Sequence, residues 1–130
     1  MVDTISEFYT RTRTGWLHTF LSNGFIEPDG SSVEAEFESE RPDCEHEYQT
    51  MSRLVLAKFL DHPELAHQLL ATGDALLIEG NRWHDNTWGD CRCGSRDRHN
   101  CVPPGSNWLG QILMSVREAI SQFARIANTA

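Results

Sequence analysis

Two stretches repeat apolar residues with the period of a helix, and they restrict the chain to a fold built mainly from packed helices. Leu109, Ile112, Leu113, Val116, Ile120 and Phe123 share one helical face, and Met51, Leu54, Val55 and Phe59 share another. Such stripes must be covered by a second element to be stable in water. Start and stop signals place the remaining helices. Ser31 or Ser32 caps one over Val33 to Arg41, with Glu34 in its first turn, where the helix dipole favours a carboxylate. Asp43 opens the helix that ends near Leu60, and Pro63 opens a third carrying Leu65, Leu69 and Leu70, closed by Thr72-Gly73. Asn107 caps the last. The apolar run Ala75 to Glu79 predicts one buried strand, and Ile5 to Phe8 a short strand or turn. The expectation is a mainly α (α+β) compact single domain over residues 4–127, with one or two short strands.

Charge narrows the function classes. Nineteen acidic against eleven basic side chains leave a net charge of −8, so no long-range field draws in nucleic acid. Any nucleotide contact must come from a local site, and nucleic acid is expected only as the bearer of a modified base. No apolar run approaches the roughly 20 residues that cross a bilayer, and Met1 to Tyr9 lacks a secretory pattern. A cytoplasmic location with no membrane partner is expected, and four Cys there read as thiols or metal ligands.

Three segments carry residue types suited to chemistry. In Asp85-Asn86-Thr87-Trp88-Gly89-Asp90 a carboxylate stands three residues from an indole, with Gly89 permitting close backbone approach; alternatively this is a solvated turn with one buried Trp. Gly105-Ser106-Asn107-Trp108-Leu109-Gly110 opens straight into a helix, where backbone N–H groups suit a phosphate, or where Asn107 simply caps. On the acidic helix, Glu34, Glu38 and Arg41 fall at i, i+4 and i+7 and share a face, which by default is a solvated one. Between the last two strong patterns lies Gly80 to Gly105, long enough to require a function or a fastening. Its Cys-containing insert, residues 91–104, places Cys91, Cys93, His99 and Cys101 within eleven residues. Those four could close a structural zinc site, with Cys44 or His46 as competing ligands, or they could belong to a basic loop of reduced thiols.

In order along the chain, these segments resemble the NADAR family. Ile5-Ser6-Glu7-Phe8-Tyr9 and Phe20-Leu21-Ser22-Asn23 look like its opening. Arg41-Pro42-Asp43, Met51 and Leu56-Ala57-Lys58-Phe59 look like its central helix. Leu69 to Asp74, Leu77-Ile78-Glu79, Asp85, Trp88-Gly89-Asp90 and Gly105 to Gly110 with Leu113 to Arg117 complete the match. The resemblance implies a helical NADAR-like fold and hydrolysis of an N-ribosyl bond. The family includes an N-glycosidase acting on early riboflavin-pathway intermediates and hydrolases that remove ADP-ribose from guanine. The substrate would then be a small N-riboside or an ADP-ribosylated nucleotide, and no cofactor is required.

Carried onto this chain, the resemblance makes Glu34 and Asp85 the catalytic carboxylates, with Glu45 of Glu45-His46-Glu47-Tyr48-Gln49 as an alternative register. Trp88, Gly89, Arg41, Lys58, Asn23, Asn107 and Gly105 would bind substrate. Departures are visible. Ala35 stands for the family's His, Glu38 for its Gln and Arg41 for its Lys, and a guanidinium stays protonated where an amine need not. A non-catalytic sensor of ADP-ribose or a related nucleotide is therefore the alternative reading, and a zinc-held interaction module a third.

Overall fold

The Ser32 hydroxyl accepts a hydrogen bond from the Ala35 N–H at 3.2 Å and so starts the helix that the sequence expects there. In the computed structural model, which describes residues 3–8, 15–93 and 105–129, that helix is α2 (Val33–Glu40). It follows β1 (Thr4–Ile5), α1 (Gly15–His18) and a 3-10 turn, Thr19–Leu21. Arg41 ends α2 in the left-handed conformation (φ 48°), its N–H returning to the Phe37 carbonyl. A second 3-10 turn, Cys44–His46, precedes α3 (Glu47–Asp61), and α4 is Pro63–Ala71. Asp43 stands at the start of that 3-10 turn without a side-chain cap, and the α-helix begins three residues later than expected. Thr72 closes α4, its N–H and hydroxyl both donating to Leu69, and Gly73 follows at φ 65°.

β2 (Leu76–Leu77) pairs in parallel with β1, Thr4 facing Leu76 and Ile5 facing Leu77. The stretch after it, read from sequence as irregular, holds two more short strands. β3 (Gly80–Asn81) and β4 (Asp90–Cys91) pair in parallel, Gly80 facing Asp90 and Asn81 facing Cys91. The final helix α5 spans Trp108–Thr129. Among the described residues no helix is long and apolar enough to cross a membrane.

Contacts group the chain into two compact units. One comprises residues 1–22 and 74–111, the other residues 23–73 and 112–130. In the first, Phe8, Phe20, Leu21, Ala75, Leu77 and Leu109 are buried. In the second, α3 packs against α2 and α4. The stripe of α3 (Met51, Leu54, Val55, Phe59) is buried there, as are Leu65, Leu69, Ile112, Leu113, Val116 and Ile120. Phe123 departs from the expected stripe of α5, being 63% exposed.

Candidate functional site

The apolar run that makes β2 ends on an acid, and that acid is the centre of the first unit's polar cluster. Leu77 is fully buried, and two residues on Glu79 is clamped through its backbone. Its N–H donates to Asn107 Oδ1 at 2.8 Å, and its carbonyl accepts the Asp90 N–H at 2.8 Å. The Glu79 carboxyl accepts from Asn81 Nδ2 at 3.1 Å. Burial pushes its pKa up to about 8; the Asn81 hydrogen bond works against that shift and the nearby Asp85 charge adds to it. Glu79 is thus a carboxylic acid that keeps its proton near neutral pH.

Asn81, only 1% exposed, makes all four hydrogen bonds that an amide side chain has to give. Nδ2 donates to Glu79 and to the Asp85 carbonyl (2.7 Å), while Oδ1 accepts from the Trp83 and Asp85 N–H groups (3.2 and 3.1 Å). The turn that carries Asp85 is thereby tied to Glu79. Asp85 Oδ1 in turn accepts from the Thr87 and Trp88 N–H groups at 3.0 and 2.9 Å and sets the course of the chain into Trp88. The half-buried Trp88 indole meets Trp108 edge to face, ring centroids 5.3 Å apart and planes at 87°. Gly89 is required. A Cβ there would overlap the Glu79 carboxyl and carbonyl oxygens and lie 2.8 Å from Asn81 Nδ2.

The expected phosphate cradle is corrected by the same geometry. The N–H groups of Ser106, Asn107, Trp108 and Leu109 donate to the carbonyls of Asn86, Gly89, Thr87 and Trp88, and the Gly105 N–H donates to Asp90 Oδ1. Donors that sequence reasoning assigned to a ligand are committed to the loop that bears Asp85 and Trp88. Asn107 does stand at the helix start, its carbonyl accepting from Gln111, but with φ 53° and with its side chain bridging Glu79 N and Leu77 O. Gly105 and Asn107 therefore hold the site's walls together instead of gripping phosphate.

The second unit holds Asn23, Glu34, Arg41, Glu45 and Lys58. The Asn23 carbonyl accepts the Glu34 N–H at 3.0 Å, which brings these two expected site residues together. Glu34, Arg41 and Glu45 are all exposed. Lys58 is not. It is 3% exposed, with Nζ 5.2 Å from the ring centroids of both Phe25 and Phe59. Burial draws its pKa down to about 8, opposed by the Glu27 charge. Glu27 is itself buried, and burial raises its carboxyl against the pull of Lys58 and His62, whose Nε2 lies 3.3 Å from Glu27 Oε1. Lys58 is thus a buried counter-charge to Glu27.

Glu79 and Glu27 were both missed by sequence reasoning. The signal for Glu79 was available: a carboxyl at the end of an apolar run, followed by Gly80. Of the expected metal ligands, Cys91 and Cys93 lie near His84, whereas His99 and Cys101 fall outside the described residues.

The sequence matches the NADAR domain over residues 32–121. The chain belongs to the NADAR family. It is 46% identical over 80 residues to an N-glycosidase of Nostoc punctiforme, 62% of this chain and 45% of that protein. It is 45% identical over 76 residues to a riboflavin biosynthesis protein of Vibrio vulnificus, 58% of this chain and 18% of that one. It is 38% identical over 73 residues to N-glycosidase YbiA of Escherichia coli, 56% of this chain and 39% of YbiA. The matched stretch thus spans less than half the length of these NADAR relatives. The solution structure of Escherichia coli YbiA superposes with a TM-score of 0.59 at 26% identity, covering 95% of this chain and 89% of that one. The NADAR fold therefore extends beyond the stretch in which sequence similarity is high.

Proposed function

We propose that this chain is an N-glycoside hydrolase that cleaves an N-ribosyl bond, in an ADP-ribosylated base or nucleotide or in a phosphoribosylamino-pyrimidine. The observation that carries this reading is Glu79, a carboxyl raised to about 8 beside the Asp85 turn. An N-ribosyl bond breaks toward an oxocarbenium-like sugar while the electron pair leaves with the base. The reaction needs a proton for the base and negative charge near C1. Glu79 supplies the proton at neutral pH. Asp85 supplies the negative charge, and the Trp88 face supports the base or ribose. Water then adds to C1 and gives up its proton to a carboxylate, a role that Asp85 can take once the base has left. Two carboxyl groups with environments that separate their roles are the usual arrangement for such acid and base work. Curated relatives named as N-glycosidases point the same way. No cofactor is required by this scheme, and it suits a cytoplasmic enzyme acting on small molecules.

Base release from a small panel of N-ribosides, followed chromatographically, tests the reading. Glu79→Gln and Asp85→Asn should each abolish release while leaving the helical circular dichroism unchanged. Full activity in Glu79→Gln would overturn the acid assignment. Binding of ADP-ribose without turnover in any substrate would instead identify a nucleotide sensor.

A further inference from the structure

Cys91 ends β4 and Cys93 follows two residues on, at a bend in the chain, and both thiols face His84. Arg92 points the other way, its Nε 3.4 Å from Asp90 Oδ2 and beside Gly80. The turn after β3 brings His84 to the thiol side, with its backbone in the left-handed region at φ 70°. His84 Nδ1 lies 3.8 Å from Cys91 Sγ and 3.5 Å from Cys93 Sγ, and the three donor atoms all fall within 4.8 Å of one another.

These separations match a metal's coordination sphere. Zinc takes sulfur at about 2.3 Å and imidazole nitrogen at about 2.0–2.1 Å in a tetrahedron, which sets the S···N edge at about 3.6 Å. Two thiolates and an imidazole are also the donor set that selects zinc over hard cations. Cys91 is 3% exposed and Cys93 is partly covered, while His84 is exposed, so the fold itself covers the two sulfur donors.

We propose that His84, Cys91 and Cys93 bind one zinc ion that fastens the turn after β3 to the end of β4. This ligand set differs from the spacing-based one, because His84 lies seven residues before Cys91 and enters only through the β3–β4 pairing. Binding deprotonates both thiols, so each ion taken up releases two protons to solvent. The ion serves as a clip: Asp85 is the next residue after His84, and the Asp85–Trp88 turn is held from its other side by Asn81. The proposal is independent of the N-glycosidase reading, because its readouts are metal content, spectrum and melting temperature.

The test uses the purified full chain, stripped with a strong chelator and dialysed against zinc or cobalt(II). One zinc per chain is expected by elemental analysis, with a thiolate-to-metal charge-transfer band in the cobalt form and a melting temperature that falls on stripping. Cys93→Ser and His84→Ala should each lose the metal and the band, while Cys44→Ser, an exposed thiol in the other unit, keeps both. Unchanged helical circular dichroism in Cys93→Ser excludes unfolding as the cause. Absence of bound zinc in the wild-type chain would overturn the proposal. So would full metal retention in both Cys93→Ser and His84→Ala.

Discussion

Replacing Glu79 by Gln should make the protein more stable at alkaline pH and leave it nearly unchanged in acid. The Glu79 carboxyl titrates at about 8 in the folded chain against 4.5 as the reference for an unfolded one. Below 4.5 both states carry the proton and its contribution is complete. Between 4.5 and about 8 the unfolded chain has lost the proton that the folded one retains, so the native state binds more protons and stability falls as pH rises. That interval is about 3.5 pH units, and at about 1.36 kcal/mol per unit the ceiling is about 5 kcal/mol. The carboxyl is not sealed from water, and screening reduces the expected difference to about 3 kcal/mol. Gln preserves the shape and still accepts from Asn81 Nδ2, but it cannot ionise. Urea unfolding followed by circular dichroism, at steps from about pH 5 to about pH 9, gives the difference between variant and wild type. Other titrating groups, Lys58 included, are common to both proteins and cancel. Curves that stay parallel across the whole range would show that Glu79 titrates as an ordinary surface carboxyl. The general-acid role proposed for it would fall with that result.

Three further outcomes follow from the packing. Lys58→Met removes the cation that offsets buried Glu27, whose carboxyl should then hold its proton to higher pH; the variant should lose stability relative to wild type as pH rises from about 5 to about 7, as urea titrations at those two pH values would show. Gly110→Ala gains about 1 kcal/mol of helix propensity. Its Cβ would overlap the Leu77 carbonyl and the Asn107 amide, so broken hydrogen bonds and overpacking outweigh the gain and leave the variant about 2 kcal/mol less stable by thermal melting. Ser32→Ala removes the cap of α2 and should lower stability by about 1 kcal/mol in the same assay, with no change in metal content.

Local rules made α2, α3, α4 and α5 legible, because caps, prolines and apolar periodicity act within a few residues of the helix they define. Ser32, Pro63 and Thr72-Gly73 all stand where short-range chemistry places them. The site was legible only in pieces. Asp85, Trp88 and Gly89 are neighbours in sequence, and the structure joins them through Asp85 Oδ1 and the close approach to Glu79. Glu79 stood only inside a motif and Asn107 read only as a cap or a substrate contact, because the bond that unites them spans 28 residues and has no period to betray it. Asn107 shows the limit most clearly. A side chain in its position reads as a helix cap, and tertiary contacts turn it instead to the carbonyl of Leu77.

From the residues alone came the helical class, the order of the four longer helices and the family, since each depends on patterns a few positions long or on motifs in sequence order. Tertiary structure alone decided which acid keeps its proton, which backbone donors are already committed, and which imidazole joins Cys91 and Cys93. The physical reason is common to all three. Desolvation, hydrogen-bond partnership and metal geometry depend on what surrounds a group in space, and chain segments far apart in sequence supply those surroundings.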